Sequence, residues 1–544
     1  MKRLLTALVG AAALGISSCG GGGTAITPPP PSGNFGLGSL NGTYAFTTSG
    51  EVCASCTFAA TPMARVGSFI ADGKGGITGG IYDVVTQGGA SSTIPINSGS
   101  SYTVNADGRG TLTLNVASGG TPTSINFGIV LTSTSDGLMI DETRNGTQAS
   151  TGSGNFVLQS MTALQTGLSS VSGSYVFDFA GFDGNVGAAN GPFPESLVGQ
   201  FVVNNSGQIT TGFEDANDGF ALTNGTMTPG TLTADVANMS TSGRGTAVIE
   251  GQSYAFYIVD STRVRFISSN ANTGNSGPML TGDALLQTNT IPSSLGAIGG
   301  NFAFLVAGSS ASGGLTRVAR FTVSNGALSK MLMDQNNAFK QTQFNTFSNG
   351  RITNYDPTTG RGTLSFQDSG GTIYSFVFYL SSANDGVIQD VSPSNSLGSG
   401  FAGVVADGSI LSQTGSPFTG SNITGSYAMN WSGIVTSNGN QDEEDLLSQI
   451  TATNLALSGT SDIFQFTTTN LTPQFDVGTK GQINFNGGDG TNGDGNRVFM
   501  NVNLSNTSAI DMVVYIVSPQ LAFFENRDNN GAPRIVAGVL RAQQ

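Results

Sequence analysis

Histidine is absent from all 544 residues. That absence excludes Ser–His and Cys–His nucleophile pairs and His-ligated metals within this chain. Cysteine is confined to Cys19, Cys53 and Cys56, too few for a zinc ribbon or a disulfide framework. Charge is sparse: 20 Lys and Arg stand against 34 Asp and Glu, a net charge of −14. Such a balance lacks the basic footprint that phosphates require, so no nucleic-acid partner is expected. Trp431 is the sole tryptophan, a poor basis for a sugar-stacking module. No serine precedes any lysine by three residues, and no Gly-x-Ser-x-Gly elbow occurs. No catalytic, cofactor-binding or metal-binding residue is assigned, and the chain does not read as an enzyme. A hydrolase using two carboxylates is the remaining enzymatic reading, and no pair is singled out.

What the chain has is glycine and phenylalanine, 79 and 33 residues respectively, within a 38% hydrophobic composition. That is enough to build cores rather than a disordered polyelectrolyte. One unit recurs. Leu40-Asn41-Gly42-Thr43-Tyr44-Ala45-Phe46 returns as Val171 to Phe177, Ile298 to Phe304 and Ile423 to Met429. Each is aliphatic-x-Gly-x-aromatic-x-Phe/Met, and each has a second glycine eight residues after the first: Gly50, Gly181, Gly308 and Gly433. The starts at 40, 171, 298 and 423 lie 131, 127 and 125 residues apart, the size of a small domain rather than a solenoid repeat.

Within a unit the hydrophobic period is two. Leu112, Leu114 and Val116 alternate with polar residues, and Ile125, Phe127, Ile129 and Leu131 continue the pattern. Asp72-Gly73 and Asp107-Gly108 mark tight turns between such runs. The first copy reads as eight strands, near 43–48, 64–71, 76–86, 99–106, 110–117, 123–132, 137–142 and 153–160. The expected fold is all-β: tandem antiparallel meanders forming small eight-stranded barrels, with β-sandwiches as the alternative. Expected domains are 39–160, 170–287, 297–411 and 422–544, four beads with separate cores, joined by linkers near 161–169, 288–296 and 412–421. Many of these strands, nearer six to eight residues, are short for a transmembrane barrel.

The N-terminus gives an address. Lys2 and Arg3 precede an apolar stretch from Leu4 to Ile16, which is shorter than a spanning helix. It ends in Ile16-Ser17-Ser18-Cys19, which resembles the bacterial lipoprotein lipobox. The resemblance implies a signal peptide over 1–18, cleavage before Cys19 and lipidation of Cys19. The glycines at 20–23 and prolines at 28–31 fit a tether over 19–38. Gly20 follows the cysteine where an inner-membrane protein usually has Asp, so the resemblance favours the outer membrane. The mature region resembles glycine-rich repeat lipoproteins of bacteria. That likeness implies an envelope protein held to the membrane by its N-terminal lipid, non-catalytic, meeting a surface ligand or envelope partner in adhesion, envelope structure or binding. Small-molecule calyces like lipocalins or avidin are the alternative.

Three local patterns remain. Cys53-Ala54-Ser55-Cys56 reads as a local disulfide in an oxidising envelope, since neither a thioredoxin-like helix start nor two further zinc ligands accompany it. Arg109, Arg244 and Arg361, with Lys480 in the fourth copy, recur at one position and read as charged hairpin tips. Asp442-Glu443-Glu444-Asp445 and the Gly487–Asn496 loop read as solvated acidic loops rather than calcium sites. Tyr44, Tyr175, Phe302 and Tyr427 read as core aromatics, each beside the Phe or Met two residues later.

Overall fold

The computed structural model describes residues 34–53, 60–118, 121–145, 148–184, 192–269, 277–344, 346–394, 400–437, 440–465, 473–485, 495–504, 509–527 and 533–544. Cys19, Cys56 and most of the Gly487–Asn496 loop lie outside them. Antiparallel strands dominate, arranged as four successive eight-stranded meanders.

Each unit starts with a long strand: Asn41–Cys53, Gly173–Phe182, Gly300–Ser310 and Gly425–Ser437. That strand pairs on one side with the next strand and on the other with the last, Gln148–Leu158, Met279–Leu286, Val404–Ser412 or Arg534–Ala542. Three units close into eight-stranded barrels through continuous ladders. The first forms a ten-stranded sheet in which a Gly76–Ser101 bridge brings the start of the strand Ile77–Thr86 to the strand Ser101–Val104. The first three units also carry an added strand outside the eight: Gly89–Pro95, Ala221–Thr226 and Lys340–Phe344.

The repeated second glycine has a steric cause. A Cβ on Gly50, Gly181, Gly308 or Gly433 would lie 2.3, 1.8, 2.1 or 2.0 Å from a carbonyl oxygen of the unit's last strand. Only glycine lets the first and last strands approach this closely. Strands reach 13 and 14 residues, longer than the six to eight expected. Length therefore gives no objection to a membrane barrel. The polarity of the faces does: the insides are apolar, and exposed wall positions such as Thr111 and Lys480 are polar. A membrane-spanning barrel carries the reverse pattern.

Each unit has its own interior core. Tyr44, Tyr175, Phe302 and Tyr427 are at most 3% exposed, beside fully buried Phe46, Phe177, Phe304 and Met429. Tyr44 stacks on Phe69 at 5.5 Å between centroids, Tyr175 on Phe201 at 6.1 Å and Phe302 on Phe321 at 5.9 Å. The segments before each first strand close one end of each barrel. Phe35, the helix Met161–Thr166 with Leu164, Ile298 and Phe418 join the four cores. The linkers expected at 161–169, 288–296 and 412–421 thus contain plugs, because a barrel end left open would expose its aromatic core to water.

The four units, each with its own core, also pack against one another. Outward-facing residues of different barrels form further buried clusters. Val66, Ile81, Tyr257 and Ile267 join barrels one and two; Val176, Val198, Val377 and Tyr379 join two and three. Ala307, Ile434 and Ile535 join three and four. Val130, Leu138, Leu305, Leu447, Val513 and Phe523 bring barrels one, three and four into one cluster. The first strands are consequently buried on both faces.

Candidate functional site

The recurring arginines lie in these seams, not on hairpin tips. A left-handed glycine, Gly108, Gly243 or Gly360, turns the chain into the strand that begins with Arg109, Arg244 or Arg361. The side chain then leaves its own barrel. Arg244 donates through Nε and Nη2 to Asp83 of barrel one at 2.9 and 2.8 Å. Arg361 grips Asp215 of barrel two with two bonds of 2.6 Å. Arg497 grips Asp334 of barrel three in the same way, again at 2.6 Å. Arg109 closes the circuit by donating to Asp462 of barrel four at 2.6 and 2.7 Å, and to Asp476 at 2.7 Å. The four barrels form a closed ring.

The fourth member of the series is therefore Arg497, not Lys480. Lys480 is exposed on the strand Gln474–Asn484. The long glycine- and aspartate-rich stretch before Gly495 displaces the motif, and Asn496 takes the place of the glycine. In three seams a tyrosine cross-strand from the arginine completes the contact. Tyr257, Tyr379 and Tyr515 donate their hydroxyls to Asp83, Asp215 and Asp334. In barrel one Val130 stands there, and Asp476 is the extra partner. Burial works against the charge on Arg244 and Arg497, but the facing aspartates outweigh it and hold both guanidinium groups above their ordinary value. Burial, then the aspartate charge, pushes the tyrosine hydroxyls up, so they stay protonated donors.

A second polar series follows the last strands. Gln159 donates to Ser242 O in barrel two at 2.8 Å. Gln287 reaches Thr359 O in barrel three at 2.8 Å, and Gln413 reaches Ile516 O in barrel four at 2.6 Å. Gln543 reaches Asp107 O in barrel one at 2.8 Å. Main-chain bonds accompany them, from Ser160, Thr288, Thr414 and Gln544 to Val259, Ser381, Val517 and Thr132. The glutamines were visible in the sequence at the ends of the closing segments. The aspartates of the third strands, Asp83, Asp215, Asp334 and Asp462, share no flanking motif and were missed.

The acidic run at 442–445 is also placed differently from the sequence reading. It belongs to the strand Asn440–Thr453, and Glu443, Glu444 and Asp445 are at most 1% exposed. Glu444 turns inward to Arg534 at 2.7 Å. Glu443 and Asp445 turn outward, where Thr151 of barrel one donates to Asp445. Burial raises both carboxyls, each acidic neighbour adding to it, with Asp445 near 8.

Buried Arg–carboxylate pairs sit inside three barrels: Arg65–Asp141, Arg317–Asp390 and Arg534–Glu444. Barrel two has carboxylates instead. Glu195 and Glu214 share its inner face, raised chiefly by burial to about 8 and about 7. This is where a carboxylate-dependent reaction would have to sit. The recess found at a barrel mouth, lined by Ile423, Tyr427, Leu457, Met500 and Leu540, has about 10 Å³ of free volume, room for one water. Among the described residues, no group of three acidic or sulfur side chains is placed to hold a metal, and no helix is long and apolar enough to cross a membrane. Cys53 ends the first strand and is 4% exposed.

The geometry defines an all-β protein of four eight-stranded units closed into a ring. No family model matches the sequence, and no curated protein matches it. Among solved structures, a Transferrin Binding Protein B double mutant from Haemophilus parasuis is similar at 12% identity over 75% of this chain and 83% of that chain, with a TM-score of 0.19. Transferrin binding protein B from Neisseria meningitidis gives 10% identity over 75% and 84%, with a TM-score of 0.18. An AttH protein from Nitrosomonas europaea gives 8% over 48% and 97%, again at 0.18. Likenesses of this size carry no weight, and the fold rests on the strand ladders themselves.

Proposed function

We propose that the protein is a lipid-anchored, non-catalytic component of a bacterial envelope, held through Cys19 and standing off the membrane as a rigid four-barrel body. The observation that carries this reading is where the side chains go. The interiors are filled by aromatic and aliphatic residues, and the recurring polar side chains serve barrel-to-barrel contacts. Among the described residues, this use of side chains supports a non-catalytic role over a calyx or a catalytic constellation.

The anchor also sets an orientation. The first and last strands of each unit pair antiparallel, so the first starts, and the last ends, at one end of its barrel. The chain enters there, where Phe35 N–H donates to Ala106 O. That end faces the membrane, and the opposite end meets the surface ligand or envelope partner. Outer-membrane placement and a Cys53–Cys56 disulfide belong to the same proposal.

Labelling with palmitate and membrane fractionation test the anchor. Wild-type protein is expected in the membrane fraction and labelled, and Cys19→Ser protein unlabelled and soluble. Labelling that survives the substitution overturns the anchor. Titration with a fluorescent fatty acid tests the filled interiors: stoichiometric binding would turn the reading toward hollow calyces.

A further inference from the structure

We propose that the seam between the first and fourth barrels is a proton-operated latch, closed while its buried carboxyl groups hold protons and released as they lose them. This seam differs from the other three in connectivity. Linkers tie barrel one to two, two to three and three to four. Barrels one and four are joined only by contacts that the fold creates.

The seam also differs in charge. From barrel four it is faced by Glu443 and Asp445 on the second strand, Asp462 on the third, Asp476 on the fourth and Arg541 on the last. From barrel one it is faced by Glu51 on the first strand, Arg109, Asp136, and Glu142 just after the strand Asp136–Asp141. Behind the two walls, Asp141 is held by Arg65 and Glu444 by Arg534. Arg109 is engaged by Asp462 and Asp476, and Arg541 lies toward Asp136. Among the described residues no ion pair joins Glu443, Asp445 or Glu142, although the Arg109 charge acts on Glu142. The hydroxyl of Ser432 lies beside both carboxyls, but no hydrogen bond of ordinary geometry reaches either oxygen of Glu443 or Oδ1 of Asp445. Glu443 and Asp445 are wholly buried, and Glu51 beside them is 5% exposed.

A buried ionised carboxylate without partner or cation is far costlier than a neutral one. Among the described residues these acids are not placed to share a metal ion. Protons are then the neutralising species. Burial, and after it the charges of Asp445 and Glu51, raises Glu443 well above the carboxylate range; burial raises Asp445 to about 8, against the hydroxyls of Thr151 and Ser432, which favour its charged form. Once the seam opens, the same groups return to about 4. The closed ring therefore binds more protons than the open one. Its advantage is complete below about pH 4 and drains away as the pH climbs toward about 8, by about tenfold in the closure constant per unit and per group. Asp178 with Asp407, and Glu525, are raised similarly, but in seams whose barrels a linker keeps together.

Hydrogen exchange of the full mature chain in detergent, from about pH 5 to about pH 9, tests the latch. Rates are corrected for intrinsic base catalysis, and the seam between barrels one and two, around Asp83 and Arg244, is the internal reference. Protection over 443–449 and 149–153 is expected to fall by at least about tenfold per pH unit relative to that reference. Glu443→Gln is expected to make the fall shallower by one proton's worth. Asp445→Asn serves if that variant does not fold. A constant ratio between the two seams across the pH range overturns the proposal, as does a wild-type slope in both variants.

Discussion

Tyr44, Tyr175 and Tyr427 do two things at once. Each ring fills a barrel interior, and each hydroxyl reaches a turn carbonyl at the barrel end, Thr134, Ser261 or Pro519, at 2.8, 2.8 and 3.1 Å. In the third barrel Phe302 keeps only the first task. Tyr175→Phe is therefore expected to cost about 1 kcal/mol in denaturant unfolding, the net worth of one hydrogen bond. Tyr175→Ala is expected to cost about 3–5 kcal/mol, because it opens a cavity in a filled core. At Cys53, alkylation of native protein purified from the envelope is expected to find no free thiol at Cys53 or Cys56. A modifiable thiol in the oxidised protein refutes the local disulfide.

At the scale of elements, the strand opening with Arg497 shows how a seam is built. A turn delivers a guanidinium to the barrel surface, the neighbouring strand delivers Tyr515 beside it, and both meet Asp334 from the next barrel. The pair is dry, with Arg497 wholly buried. Such pairs add little over a hydrophobic substitute when exchanged whole, but losing one member strands the other. Arg497→Met is expected to destabilise by about 3–5 kcal/mol, and adding Asp334→Leu to recover much of that loss. Lys480→Ala, at the position the sequence pattern suggested, is expected to change stability by less than about 0.5 kcal/mol. Denaturant titration of the three variants decides between the two positions. The error in the fourth copy has a simple origin: a local motif cannot be aligned through an insertion, and the ladder partner Tyr515 that fixes Arg497's place lies 18 residues on.

For the whole molecule, shared outer faces imply shared unfolding. The first strands are buried from both sides, so loosening one barrel uncovers apolar surface on its neighbours. Calorimetry of Tyr175→Ala protein is expected to show the main transition moving as a unit. A single component shifted alone, with the rest unmoved, would mean that the seams contribute little. Period-two alternation, turn residues and the recurrence of Gly-x-aromatic-x-Phe were local signals, and they sufficed for β structure, for the size of the unit and for the inward aromatics. They act between residues that are near in sequence or alike in every copy. Barrel closure needs the first and last strands of a unit to meet, and the ring needs residues such as Arg109 and Asp462 to meet across 353 positions. The same is true of Glu443 and Asp445, whose acidic run reads as solvated until barrel one covers them. Local chemistry in the chain determined the strands and the repeat; which charges would be buried, and against which barrel, was decided only when four outer faces found one another.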